Sequence, residues 1–387
     1  MASTPTGRRN HRQVQLIRQS LLQSDSLPFA DTLTPEHIQQ AFQDNACPFR
    51  QRDDDASDDA NDDASDDASD ASQGGQQIVY TSAVTLWAML SQALFTDKLR
   101  ACLAAVQRVA VYYACWGVEV SATNTGAYCR AKAAIPEAVV KDLTQGLAER
   151  CEADVPDKWL WHGHPVKAVD GATFSMEDTP ANQAAYPQST SQKPGLGFPI
   201  LRAVAVTSLA TGMVLAAEVG PYAGKETGEN ALFRKLLPKL HQNDLVVADR
   251  HYGGWFMLAL LQERGVEFVT ALHQMRKADF SQGERLGKGD HIVSWTKSVK
   301  PDWLDQETFD RLPEQLTVRE VEVKVEVKGF RTQSLVVVTS LIDPELDPKS
   351  EIAALYRPDE NLGTAESESV ARPLVDSAQQ TVKVLLP

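Results

Sequence analysis

Residues 166–174 read VKAVDGATF and residues 245–255 read LVVADRHYGGW. In each, a short run of mostly apolar residues ends on an aspartate, Asp170 in the first and Asp249 in the second. Runs of this length and composition predict buried strands. If the two strands are neighbours in one sheet, their carboxylates converge at one edge of it. Between them, ILRAVAVTSLATGMVLAAEV (Ile200 to Val219) reads as two apolar strands joined by a hairpin turn over Ala210 to Gly212. Glu226 to Leu240 reads as a helix with Glu229 near its start. After Asp249, a helix over Trp255 to Arg264 and the strand VEFVTAL (Val266 to Leu272) close a strand–helix–strand unit.

Strand, hairpin, helix, strand, helix, strand is the order of an RNase H-like core, so the expected fold class is α/β. Leu316 to Ile342 differs in texture: TVREVEVKVEV alternates apolar and charged residues, and QSLVVVTSLI follows Gly329. That pattern predicts a half-exposed antiparallel hairpin, part of an inserted antiparallel β subdomain at about 280–345, ahead of a last helix starting near Lys349. Upstream the chain is all-helical. Helices are expected over His11 to Leu22, over Pro35 to Asp44 with Thr34 as cap, from Thr81 to about Cys115, and from Pro136 onward. Between the last two, Gly126 to Lys132 reads as a turn carrying Tyr128, Arg130 and Lys132, suited to contacting DNA or simply to being a solvated basic loop.

The chain of 387 residues has a net charge of −14, but ten aspartates fall in the repeat DDDASDDANDDASDDASD between Asp53 and Asp70. Without them the remainder is −14 + 10 = −4, which rules out a uniformly acidic protein. Like charges without apolar residues cannot repay chain entropy, so the repeat is expected to be disordered. The organisation expected is a basic helical segment (1–50), this acidic linker (51–77), a helical DNA-binding-type region (78–158), the α/β core (159–357) and a disordered tail (358–387). Five cysteines without a C-x-x-C pair argue against a zinc knuckle or a disulfide framework. No signal-peptide h-region is present, and charges interrupt the apolar stretch from Ser82 to Trp116. A cytoplasmic protein without a membrane partner is expected.

Two converging carboxylates bind Mg²⁺ poorly alone, and well with a third acid and a phosphate ligand. Two such metals about 4 Å apart activate water and stabilise the leaving oxygen of an in-line phosphoryl displacement. An all-oxygen site suits magnesium, whereas zinc wants His or Cys. Against this stands the ordinary reading of Asp-Gly as a turn. His162 and His164 form an H-x-H pair with no further His–carboxylate series, and read as a strand entry at the surface.

VDGATF around Asp170, SQKPGLGFPI (Ser191 to Ile200) and ADRHYGGW (Ala248 to Trp255) resemble the core motifs of bacterial insertion-sequence-four DDE transposases. YTSAVTLWAMLSQ and SATNTGAYCRAKAAIPE resemble the helical region that precedes that core in part of the family. The resemblance runs from about Ile78 to Arg357. It implies DNA transposition: Mg²⁺- or Mn²⁺-dependent cleavage at the element's terminal inverted repeats, strand transfer into target DNA, a homodimer in synapsis and a nucleoid-associated location. Asp170 and Asp249 would be the first and second metal-binding carboxylates. Arg250 and Tyr252 match positions that follow the second acid; the guanidinium would clamp a phosphate or orient Asp249. Lys193 and Lys225 are further candidates for phosphate contact. Trp295 and Trp303 suit stacking on a flipped base or packing in the core.

The family's last signature places Tyr, Arg, Glu and Lys on one helix. Here EIAALYR puts Tyr356 at the Tyr position, but the Arg, Glu and Lys positions fall on Asp359, Gly363 and Val370. Pro358 would break such a helix, and the pattern is that of a truncation or frameshift. Glu360 is the nearest substitute for the third acid, with Glu366 and Glu368 behind it, none at the right spacing. The displaced acid argues against activity of this copy. The alternatives are a catalytically dead DNA-binding remnant that inhibits an intact transposase, and a metal-dependent nuclease of the same fold.

Overall fold

The computed structural model describes residues 33–51, 78–95, 97–193, 195–325 and 333–356. The helix expected over His11 to Leu22, the aspartate repeat, and Glu360 with the rest of the tail lie outside these residues. Contacts divide the chain into two compact units, with the boundary between Leu147 and Ala148.

The first unit is helical: α1 (Pro35–Asp44), α2 (Ser82–Leu94), α3 (Cys102–Ala114), α4 (Gly126–Ala133) and most of α5 (Glu137–Ala153). Thr34 caps α1, its hydroxyl accepting the His37 N–H, and Pro35 occupies the first turn where no partner for its nitrogen is needed. Thr81 caps α2 in the same way through Val84 N–H. The single helix expected from Thr81 to Cys115 is broken. Phe95 is extended, and Arg108 from α3 holds the break closed, donating from Nε to Ser91 Oγ at 2.9 Å and from Nη1 to Leu99 O at 3.0 Å. The segment expected as a basic turn is helix α4: Tyr128 is fully buried among α2 and α3 residues, which fixes the helix face and leaves Arg130 outside.

The second unit is a mixed α/β layer structure on one nine-stranded sheet in the order β3-β2-β1-β4-β5-β9-β8-β7-β6. Its strands are β1 (Val166–Ser175), β2 (Ile200–Ser208), β3 (Val214–Pro221), β4 (Leu245–Ala248), β5 (Glu267–Ala271), β6 (Glu284–Gly287), β7 (Asp290–Thr296), β8 (Gln315–Val325) and β9 (Gln333–Thr339). The helices are α6 (Pro180–Ala185), α7 (Glu229–Leu236), α8 (Trp255–Glu263), α9 (Gln306–Arg311) and α10 (Lys349–Tyr356). β1, β2 and β3 are antiparallel neighbours, whereas β1, β4 and β5 run parallel.

Two apolar clusters cover the two faces of the sheet. Val169, Val246, Ala248 and Phe268 join α7 and α8 residues in one, and Val166, Leu245 and Val269 join Ile352 of α10 in the other. This period-two sorting follows from the pleat. Lys167, opposite Val246, lies on the side of Val169 and is only 4% exposed, paired with Glu152 of α5.

The strands beyond β5 are antiparallel, as expected, and β9 pairs with β5 so that they carry the same sheet onward. β8 begins half-exposed, with Gln315 and Thr317 exposed and Leu316 and Val318 buried, but its charged middle is not. Arg319 and Glu320 are buried at 0% and 4% exposure, because partners wait on β7, His291 directly opposite Glu320 and Asp290 diagonal to Arg319. Arg319 forks onto Asp290, and Glu320 accepts from the His291 ring and the Trp295 indole N–H.

Candidate active site

β1 and β4 are paired from Val166↔Leu245 to Val169↔Ala248. The next residue on each strand is an aspartate, so Asp170 and Asp249 stand side by side, on strands about 4.8 Å apart. Val169 belongs to the α7/α8 cluster, so alternation turns Asp170 off that face, while Asp249, one residue past the end of β4, lines a cleft together with Glu229 of α7. Asp170 does not end its strand, as the Asp-Gly reading had it. β1 runs on to Ser175, paired with β2 throughout, and Asp170 lies opposite Ala205. β4 does stop: the Asp249 carboxylate accepts the His251 N–H at 2.7 Å and caps a 3₁₀ turn over Arg250–Tyr252. Thr270 of β5 pins the same residue, its hydroxyl donating to Asp249 O at 2.7 Å.

Gly171 is a strand residue whose missing side chain makes room. A Cβ there would lie 2.5 Å from Cδ and 2.7 Å from Cγ of Glu229. The first residue of α7 is thereby pressed against the strand next to Asp170. Tyr252 Oη reaches the same carboxylate, at 3.5 Å from Glu229 Oε2. Tyr252, expected at a DNA contact, is 2% exposed and packs edge-on against Phe233. Burial and the nearby charges of Glu229, Asp170 and Asp249 push its phenol pKa up.

The Asp170 carboxyl is also raised above its ordinary value. Surrounding atoms desolvate it and the charges of Asp249 and Glu229 repel its ionised form, while the Gly171 N–H opposes the shift. Tyr356, at the end of α10, is raised chiefly by burial and feels both Asp249 and Arg250.

Asp249 opens onto a cleft of about 460 Å³ walled also by Arg202, Glu229, Arg250, His251 and His273. An all-oxygen pair such as Asp170 and Asp249 fits a hard divalent cation. Among the described residues no group of three His, Cys, Asp or Glu side chains is close enough to hold a metal ion, so the pair lacks a third protein ligand there.

Of the residues singled out from the sequence, the structure brings together Asp170, Asp249 and Arg250. Lys193 is exposed on the loop between α6 and β2, and Lys225 is exposed in the turn before α7; neither lines the cleft. Arg130 and Lys132 belong to the helical unit. Trp295 is a core residue with its indole bonded to Glu320, and Trp303 packs half-buried against the α8 ring of Phe256 beneath Arg234. The H-x-H pair forms a turn just ahead of β1. Trp161 and His164 bridge across it, with His162 and Gly163 at positive φ, and the rings diverge: His162 to Asp347 and Glu351, His164 to Asn243 O. Sequence reading missed Arg202 and Glu229 as site residues. The one charge in the apolar run ILRAVAV and the acid in the first turn of α7 were their signals.

Residues 161–357, just over half the chain, match the family model of the transposase DDE domain. Transposase InsG for insertion sequence element IS4, from Escherichia coli (strain K12), is 27% identical over 199 residues, 51% of this chain and 42% of that protein. Putative transposase InsZ from the same organism is 30% identical over 106 residues, 27% of this chain and 34% of its own length. The chain thus spans less than half the length of either relative. Among solved structures, the cryo-EM piggyBac transposase synaptic complex with hairpin DNA covers 80% of this chain and 66% of that chain at 8% identity. Its TM-score of 0.32 is too low to bear on the fold.

Proposed function

The chain belongs to the DDE transposase domain family, and from that premise we propose that it carries out DNA transposition at the edge where Asp170 and Asp249 meet. The register that brings these two residues to the same level of adjacent parallel strands is the observation that supports this reading most directly. The strand order β3-β2-β1-β4-β5, three antiparallel strands followed by two parallel ones, supports an RNase H-like core.

Asp170 and Asp249 would hold divalent metal, Mg²⁺ or Mn²⁺ by their oxygen-only donors. Bound there, the metal supplies charge neutralisation at phosphorus and a lowered pKa for attacking water. The chain's own part is positional. Thr270 and the His251 N–H hold Asp249 in one orientation. Arg250, exposed on the cleft wall, is placed to take a phosphate oxygen. In the first step a water oxygen bonds to phosphorus and the 3′ oxygen leaves as a hydroxyl. In the second, that hydroxyl attacks a target phosphodiester and expels its 3′ oxygen. Terminal inverted repeats as substrate, a homodimer in synapsis, and phosphate contacts from Lys193, Lys225, Arg130 and Lys132 belong to the same proposal. Glu360 is its candidate third acid.

The test is cleavage of a labelled duplex carrying the element's ends by the full chain with Mg²⁺. Asp170→Asn and Asp249→Asn should each abolish the 3′-hydroxyl product, and cleavage that survives both would sink the assignment. One observation favours a second reading: no third carboxylate joins the pair among the described residues. A catalytically inactive DNA-binding protein would bind the same duplex, leave it uncut, and bind equally well as the double asparagine variant.

A further inference from the structure

Arg202 sits on β2 opposite Thr173 of β1, three positions past Asp170, and reaches the cleft that Asp249 lines. Its guanidinium is held by two groups that leave most of its donors unused. The carbon centre lies 4.6 Å from the centroid of the Tyr222 ring, and Nη1 donates to Thr227 O at 3.0 Å. Nε is buried with no acceptor, and among the described residues Arg202 forms no ion pair, although Glu229 and Asp249 wall the same cleft. An unpaired guanidinium with an unsatisfied buried N–H is a costly arrangement. The tie to one carbonyl uses a single N–H of the fork, and the fork meets the cleft where an anion would enter.

We propose that Arg202 binds a DNA phosphate that flanks the reacting one. The inference rests on the DNA-cleaving reading of the Asp170–Asp249 edge and adds to it a residue that reading does not use. Three residues along a strand span about 10 Å, roughly three nucleotide rises of 3.4 Å. The contact is therefore with a phosphodiester a few nucleotides from the reacting one. Its effect is to position the strand and to offset the repulsion between the acids and the DNA backbone. Stacking on Tyr222 fixes the planar fork in advance, which lysine cannot imitate.

Affinity of the full chain for a labelled duplex, measured by fluorescence anisotropy from about 50 to about 200 mM KCl, reads this contact as a salt slope. Arg202→Gln should lower the slope of log K against log[salt] by about 0.9 and weaken binding about tenfold at the lower salt. Arg202→Lys should keep the slope and lose affinity severalfold. Loss of a mere structural tie would weaken binding without changing the slope, so an unchanged slope in a folded Arg202→Gln protein overturns the proposal. Should that variant not fold, phenylglyoxal labelling of the unaltered chain decides. DNA should protect Arg202 severalfold, and equal labelling with and without DNA overturns the idea. Failure of the unaltered chain to bind any duplex removes the DNA reading itself, and this proposal with it. Binding with an unchanged slope removes this proposal alone.

Discussion

Replacing Arg319 by leucine removes the one cation at the centre of a buried network. Arg319 is fully buried, and its Nε and Nη2 grip Asp290 at 2.8 and 2.7 Å while Nη1 donates to Asp347 O at 2.8 Å. Asp290 is itself 5% exposed, so the variant strands a carboxylate with no water to receive it. Breaking a buried pair from one side costs about 3–5 kcal/mol. For a unit of this size each kcal/mol is worth roughly 2–4 °C in melting temperature, so a fall of about 6–20 °C is expected. The double variant Arg319→Met/Asp290→Leu should recover most of it, because an apolar pair of similar volume replaces a buried ion pair at little cost. Differential scanning calorimetry of the two proteins makes the comparison. A single-variant fall below about 2 °C, or a double variant no better than the single, would refute the reasoning, since both follow from desolvation of Asp290. The network also reaches α10: Asp347, whose carbonyl Arg319 holds, binds His162, and His162 binds Glu351 on that helix.

Gly171→Ala should lower stability by about 1–3 kcal/mol through overpacking against Glu229; the same change combined with Glu229→Ala should restore the melting temperature, and no recovery would place the strain elsewhere. Asp170→Asn, melted in the presence of a chelator at neutral pH, should be more stable than the parent because one of three crowding negative charges is gone; a lower melting temperature contradicts that. His162 is held above its ordinary value of 6.5: desolvation works against the charge, but Glu351 and Asp347, which face it, outweigh that. A raised folded pKa means stability present below 6.5 and lost as pH climbs through the folded value. The gap in melting temperature between parent and His162→Ala should therefore be widest near about pH 5 and close by about pH 9, and a gap that widens with pH counts against the pairing.

The apolar runs ending on Asp170 and Asp249 were readable because a buried strand needs little more than short, continuous hydrophobicity, and the core order followed from it. Their register was not, since pairing is set by contacts across the sheet that sequence spacing does not encode. Gly171 misled for a related reason: a glycine beside an aspartate signals a turn locally, whereas here it serves the approach of Glu229 from a helix more than fifty residues on. β8 looked half-exposed because Arg319 and Glu320 are charged. Their partners Asp290 and His291 sit on another strand, and no periodicity in β8 announces them. Arg108 likewise splits one predicted helix in two through bonds to Ser91 and Leu99 that cooperate only in the folded chain.

The pairing of β1 with β4 also dictates which changes in chain length the protein can survive. One residue gained or lost between Val166 and Asp170 would swing the first acid to the opposite face of the sheet while leaving Asp249 in place. The 24-residue connection from Met176 to Pro199 carries no such constraint, because it leaves and rejoins a β1–β2 ladder already fixed on both sides. Insertions and deletions should accumulate in that connection and be purged from the few residues ahead of each aspartate. A library of single-codon indels, scored for folding and for DNA cleavage, would show that asymmetry as a sharp boundary at Ser175.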